Sequence, residues 1–482
     1  MRPLSIFFLL FFLQTCQSPD PAPETKKRPN ILLIMADDLG WGDVGFNGNA
    51  FIQTQSLDSL AARGVILDRF YSASAVCSPT RASCLTGRNP FRQGIPTANA
   101  GHLKKEEITL AEILREQGYA TGHFGKWHLG TLTTQIRDSN RGAPGDSTHY
   151  SIPTEHGFDE YFAAEAKTPT FDPMLKPLRF DTARGESLRY GWAALTDKTA
   201  GEPYGTAYWT GPEQQVTDNL DGDDSKVIMD RVIPFIEKAA RDQQPFFSVV
   251  WFHTPHLPVV SDPRRRDLYS DLSHAEQLYY GAITAMDEQV GRLWETLEDL
   301  GVSENTMIWF CSDNGPEDRT PGSAGPYRER KRSLYEGGVR APAFFVYPRE
   351  INGGGKRSVP MVTSDYLPTV LDFLGLTYPD PGRPLDGMSA RPFLRGERQQ
   401  REEPIGFQFG TKTSWVDDSY KLISTDKGQT YEFYDLLADP AEEQNVIGEH
   451  PEIAERMKRE LLSWVASCRD SWEGADYVAA GE

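Results

Sequence analysis

Three short apolar runs in this 482-residue chain each end in residues able to do chemistry. Ile31–Ala36 runs into Asp37-Asp38, Phe246–Phe252 into His253-Thr254-Pro255-His256, and Thr306–Cys311, after one serine, into Asp313-Asn314-Gly315. Asp37, Asp38, Asp313 and Asn314 offer hard oxygen ligands without clustered thiolate or imidazole, which suits calcium or magnesium rather than zinc. Calcium, with its flexible shell of six to eight oxygens, accommodates paired carboxylates better than magnesium does. A fourth segment, Cys77-Ser78-Pro79-Thr80-Arg81-Ala82-Ser83-Cys84-Leu85-Thr86-Gly87-Arg88, reads as a helix with Pro79 in its first turn and Gly87 at its end. Cys77 then sits at the helix amino end, where free N–H groups favour an anion. On chemistry alone that is a thiolate nucleophile or an anion-binding turn.

The elements that must position these groups follow from periodicity. Apolar runs of strand length alternate with the amphipathic stretches Ile108–Gln117, Val227–Ala240 and Ala275–Leu300, the pattern of a parallel sheet covered on both faces. In open α/β sheets, ligands bind beyond the carboxyl ends of the strands. An Asp or Asn after one strand is an ordinary turn residue; three such ends delivered to one rim define a site. After Pro404, the runs Ile405–Phe409, Tyr420–Ser424 and Tyr431–Tyr434 read as an antiparallel sheet, with Ile453–Cys468 as a helix packed across it.

Composition bounds the function. Fifty basic against 69 acidic residues give a net charge of −19, which disfavours general nucleic-acid binding and requires a local cationic pocket for any anionic substrate. Five cysteines are too few for a disulfide scaffold, and Cys84 and Cys311 read as small buried hydrophobes. Met1-Arg2 followed by apolar Leu4–Leu13 predicts a signal peptide over 1–18, with 19–28 as a linker. Cys16 is then either a lipid-attachment site or discarded by cleavage near Ser18. The chain is therefore expected to be exported: periplasmic, secreted or lipid-anchored, with membrane contact only through Cys16.

The segment Cys77-x-Pro79-x-Arg81 followed by Leu85-Thr86-Gly87-Arg88 resembles the signature of the type I sulfatases, in which this cysteine is oxidised after translation to formylglycine. The similarity extends through Asp37-Asp38, Gly125-Lys126-Trp127-His128-Leu129-Gly130, His256-Leu257-Pro258, Ser312-Asp313-Asn314-Gly315 and Tyr335-Glu336-Gly337-Gly338-Val339-Arg340 to Tyr434-Asp435-Leu436. The resemblance implies an alkaline-phosphatase-like α/β large domain (29–398), its mixed, mostly parallel sheet between helices. It also implies a smaller carboxyl-terminal domain (399–482) with an antiparallel sheet and a packed helix. It implies further that Cys77 becomes an aldehyde hydrated to a diol, one oxygen attacking sulfur and the other expelling sulfate to regenerate the aldehyde. A formylglycine-generating enzyme is the maturation partner this requires. Asp37, Asp38, Asp313 and Asn314, with the diol at 77, would hold one calcium ion. Arg81 resembles the arginine that steadies formylglycine, Lys126 and Lys331 the sulfate-facing lysines, His128 the base of the release step, and His256 the group that assists the leaving alcohol. His253 is the weaker histidine of its pair, touching substrate or sitting behind the site.

Several residues stay open. Arg328–Arg332 holds four cations and one acid, either a solvated loop or a positive field for an anion, while Arg264-Arg265-Arg266 is expected to face solvent. Substrate choice is expected in the loops between Thr131 and Asp221, where Trp192, Tyr204 and Trp209 either stack on sugar or pack the insertion. Lys412 or Trp415 is a further candidate contact. The expected activity is hydrolysis of a sulfate ester, on a sulfated carbohydrate or a small sulfate. The alternatives are a phosphodiesterase or phosphonate monoester hydrolase of the same superfamily, and a non-catalytic binder of sulfated glycans.

Overall fold

A computed structural model describes residues 27–138, 140–179, 192–195, 197–351 and 353–477. The expected signal peptide, most of the linker and Cys16 lie outside the described residues, as does the side chain of Trp192. Among the described residues no helix is long and apolar enough to cross a membrane.

Ten strands form the large sheet: β1 (Asn30–Ala36), β2 (Val65–Leu67), β3 (Ala120–Lys126), β4 (Glu160–Ala164), β5 (Trp209–Gly211), β6 (Gln214–Gln215), β7 (Phe246–Trp251), β8 (Thr306–Ser312), β9 (Ala343–Val346) and β10 (Lys356–Arg357). Their spatial order is β10-β2-β9-β8-β1-β7-β3-β4-β5-β6. The central five, β8-β1-β7-β3-β4, are parallel, while the flanking pairs β8–β9, β9–β2, β4–β5 and β5–β6 are antiparallel. The register aligns Ala36 with Ser312, Met35 with Trp251, and Trp251 with Gly125, so the central strands finish on one rim.

Strand alternation divides the core. Ile31, Leu33 and Met35 point to one side, with the helices α2 (Cys77–Thr86), α3 (Leu110–Glu116) and α6 (Tyr366–Leu374). Leu32, Ile34 and Ala36 point to the other, with α1 (Gln55–Arg63), α4 (Asp224–Arg241) and α5 (His274–Asp299). Ser273 and Glu276 close a capping box at the start of α5, and Gly301, at φ 65°, follows its end as the sequence predicts.

The second sheet is β11 (Ile405–Phe409), β12 (Lys412–Val416), β13 (Tyr420–Ser424) and β14 (Glu432–Asp435), antiparallel throughout, with α7 (Pro451–Trp472) across it. The sequence reading lacks β12. The two parts share a core: Tyr71, Ala73 and Ala75 of the large part pack with Ile405, Phe407 and Val416 of the small sheet. All four described cysteines are free.

Candidate active site

Five strand ends and one helix amino terminus converge. β1 delivers Asp37 and Asp38, β8 delivers Asp313 and Asn314, β3 ends on Lys126 with His128 beyond it, β7 leads to His253 and His256, and β4 to Glu165. Val76, in extended conformation, turns the chain into α2 so that Cys77 opens the helix, and Gly87 at φ 70° closes it. Asp38 (φ 66°) and His128 (φ 56°) adopt left-handed backbone conformations that non-glycine residues rarely take. Both are held from outside: Asp38 N–H donates to Asp313 Oδ1 at 3.1 Å, and His128 N–H to the Glu165 carbonyl at 2.6 Å.

The floor consists of three buried acid–base pairs. Lys126 Nζ lies 2.6 Å from Asp37 Oδ2, Arg81 Nη2 2.5 Å from Asp313 Oδ2, and Lys331 Nζ 2.5 and 2.7 Å from the Asp38 oxygens. Burial pushes the Asp38 carboxyl up, but Lys331 and His256 pull it further down, below the usual carboxylate range. Asp313 goes the other way, up to about 6, because burial and the charge of Asp37 outweigh Arg81.

One carboxylate oxygen from each of Asp37, Asp38 and Asp313 fits within a 4.8 Å cluster, and so do ligand atoms of Asp37, Cys77 and His256. Asp37 Oδ1 and Asn314 Oδ1 are buried with no hydrogen-bond partner. Orphaned buried oxygens are costly unless something binds them, and an all-oxygen set fits calcium or magnesium.

Cys77 is 2% exposed. Burial pushes its thiol up to about 11 against the pull of Lys126 and Lys331, so an unmodified thiol here keeps its proton at neutral pH. Burial also holds His256 down to about 3, with Asp38 opposing and the lysines assisting, and keeps His128 well below its ordinary range. His128 Nε2 lies 2.8 Å from the Ala98 carbonyl and 2.8 Å from the Asn140 amide, while its Nδ1 is buried without a partner. His256 Nδ1 is 2.7 Å from the Leu257 carbonyl, and its Nε2 is 3.8 Å from Asp38 Oδ2.

A pocket of about 310 Å³ opens over this floor, lined by Cys77, Lys126, His128, His256 and Lys331. Arg81 is fully buried beneath it. His253 stands behind: its Nδ1 pairs with Asp224 at 2.9 Å and it does not line the pocket. Of the cationic loop, Lys331 reaches the floor and Arg332 the wall, whereas Arg328 stacks on Tyr335 and Arg330 bonds the Gly322 carbonyl. Arg264 and Arg265 pair with Glu288 away from the pocket. Two aromatic candidates take the packing role rather than the sugar-stacking one. Trp209 is fully buried in the large core, and Trp415 packs against Trp464 of α7 with its indole N–H on Glu460. Tyr204 is not in the lining, and Lys412 Nζ is spent on the Arg332 carbonyl at 3.1 Å.

Sequence reasoning missed Thr97, Ala98, Asn99, Glu317, Arg319 and Phe409 in the pocket lining, and it placed Asn140 and Lys167 only within the 131–221 loops expected to choose substrate. It missed Arg141 and Glu165 behind His128 as well; the one signal for them was two charges among the Gly and Pro of a long insertion.

An α/β sheet with a buried residue at a helix amino end, ringed by cations and oxygen donors, defines a hydrolase that handles an oxyanion ester. The sulfatase family model matches residues 29–376, and a model described as N-sulphoglucosamine sulphohydrolase, C-terminal, matches 327–467. The chain is similar to the steryl-sulfatase of Mus musculus, 33% identical over 455 residues, covering 81% of this chain and 69% of that protein. It is also similar to the N-acetylgalactosamine-6-sulfatase of Homo sapiens, 32% identical over 410 residues, covering 81% and 70%. Among solved structures, Ps i-CgsB in complex with k-i-k-neocarrahexaose aligns at a TM-score of 0.76 with 26% identity, covering 93% of this chain and 94% of that one. The chain belongs to the sulfatase family. It is a sulfuric ester hydrolase.

Proposed function

We propose that this is an exported sulfatase acting on a sulfated carbohydrate through formylglycine at position 77 and one calcium ion. The observation that carries the reading is the floor beneath Cys77, where three acid–base pairs cancel in charge and two buried oxygens lack partners. A divalent cation held by Asp37, Asp38, Asp313 and Asn314 would leave that floor with net positive charge and polarise a bound sulfate. Formylglycine at 77, hydrated, would supply both the attacking oxygen and the means of releasing sulfate.

The remaining roles fall to side chains in place. Lys126 and Lys331, each anchored on a carboxylate, present ammonium protons to the sulfate oxygens and hold the ester in line with residue 77. Arg81, locked by Asp313, steadies the oxygens at 77. Ala98 and Asn140 hold His128 at Nε2, which leaves Nδ1 without a protein partner and available to take a proton during release. With Nδ1–H donating to Leu257, His256 turns its Nε2 lone pair toward Asp38 and Lys331, so that the Lys331 ammonium supplies the proton the leaving oxygen takes and His256 orients it. Carbohydrate is favoured by a lining that offers hydroxyl and amide groups (Thr97, Asn99, Asn140) beside an apolar wall of Phe409 and Leu257. The relatives named above for N-acetylgalactosamine-6-sulfate and neocarrahexaose point the same way. Export rests on the amino-terminal apolar run.

Mass spectrometry of the Cys77 peptide from matured enzyme tests this. Conversion lowers its mass by about 18 Da, and Cys77→Ser, still folded, loses turnover. An unchanged thiol in active enzyme, or a faster rate on phosphate diesters than on sulfate esters, would overturn the reading.

A further inference from the structure

The pocket mouth carries more positive charge than one sulfate needs. Lys126 and Lys331 are paired on the floor, yet the lining also holds Lys167, Arg319 and Arg332. Glu317 is the sole acid in that lining, and it is shared: Arg332 Nη2 lies 2.8 Å from it, Arg319 Nε 3.3 Å and Lys331 Nζ 4.0 Å. Lys167 has no hydrogen bond or ion pair among the described residues. Setting one acid against three cations leaves the mouth two positive charges in surplus, in a chain whose net charge is −19. Burial and the like charges of Lys126 and Arg319 push the Lys167 ammonium below its ordinary range, as expected where cations converge without an acid between them. Lys167 is exposed at the mouth, so its ammonium is open to an incoming anion.

We propose that Lys167, with Arg319 and Arg332, forms a subsite for a second anionic group on the sugar that carries the scissile sulfate, either another sulfate or a uronate carboxylate. This rests on the sulfatase reading above and narrows its substrate class to polyanionic glycan units. The subsite lies on the loop after β4 and the loop between β8 and β9, and its three cations are not among the paired groups of the floor. Charged hydrogen bonds of this kind strengthen binding by roughly tenfold or more each and weaken with salt.

The test compares matched sugars bearing one sulfate, two sulfates, or one sulfate and a carboxylate. The wild-type enzyme should favour at least one doubly anionic sugar by about tenfold or more in kcat/KM. Lys167→Ala should collapse that ratio through KM, Lys167→Arg should restore it, and added salt should erode it in the wild type. Calorimetric binding of the same sugars to the Cys77→Ala protein gives the affinity ratio independently of turnover. Equal affinity and equal kcat/KM for singly and doubly anionic sugars, or a ratio untouched by Lys167→Ala, would overturn the subsite and leave the sulfatase reading standing. Selective binding of doubly anionic sugars without hydrolysis of any sulfate ester by matured enzyme would support the subsite and sink the catalytic reading instead.

Discussion

Arg141 is 4% exposed, and its guanidinium joins three parts of the chain. It pairs with Glu165 at 2.9 Å, donates to Ser78 Oγ at 2.7 Å next to the Cys77 position, and donates to the His128 carbonyl at 3.2 Å. Burial pushes the Glu165 carboxyl up, and the Arg141 guanidinium opposes that push. Arg141→Met should strand a buried carboxylate and cost roughly 3–5 kcal/mol. The double variant Arg141→Met/Glu165→Leu should recover most of that loss, because the uncompensated charge is gone. Activity should not recover with it, since His128 and Ser78 still lack their donor. Urea midpoints and kcat on an aryl sulfate, measured for the same three proteins, check both halves; a double variant with full kcat would show that the network carries stability alone.

At the scale of elements, β3 brings Lys126 and His128 to the rim, and Gly125 lets it do so. Gly125 has φ 100° and pairs with Trp251, whose carbonyl would lie 1.9 Å from an added Cβ. Gly118, at φ 83°, has nothing within 4 Å of such a carbon. Gly118→Ala should therefore cost about 1 kcal/mol, the backbone penalty alone. Gly125→Ala should cost on the order of 2–3 kcal/mol more as β3 and β7 part, and should lower kcat by displacing Lys126. Equal melting temperatures for the two variants would refute that contact. The same strand marks what the sequence conceals. β1, β7 and β8 are continuous apolar runs, buried on both faces, and their ends are legible as a site before any coordinates. β3 reads ATGHFGK, and its glycines and polar residues hide a strand that only packing against β7 and β4 reveals. β12, KTSWV, is masked likewise, because one face meets α7 while its start is half exposed. The oxygen donors of the floor and Cys77 are legible because Asp37, Asp38, Asp313 and Asn314 follow apolar strands and Cys77 opens a helix, whereas Arg81, Lys126 and Lys331 are reached only through the family resemblance. The mouth is assembled from Thr97–Asn99, Asn140, Lys167, Glu317, Arg319 and the end of β11 at Phe409, separate segments with no shared spacing to find.

Over the whole molecule, folding traps ionisable groups of opposite pH dependence. Burial raises Asp43 and Asp223 to about 7 and Asp287 to about 6, so these acids bind protons in the folded state first and favour folding as pH falls through that range. Buried histidines act in the other direction. His123 sits among Trp127, Trp251 and Phe158, at ring distances of 5.0, 5.1 and 5.5 Å, with neither nitrogen partnered. Burial holds it well below its ordinary range, and His156, bonded to Ser151, is held down to about 3. Below about pH 6.5 the unfolded chain gains a proton at each of these rings that the folded chain refuses, so stability is lost as pH drops. The two sets partly cancel, and the wild-type pH profile alone does not separate them. A variant does. His123→Phe fills the same aromatic cage without a titrating group, so the stability lost between pH 7.5 and pH 5 should shrink by about 2 kcal/mol relative to wild type. Urea unfolding at the two pH values measures that difference. An unchanged gap would mean that His123 accepts its proton inside the folded protein, which the closed ring of aromatic side chains around it forbids.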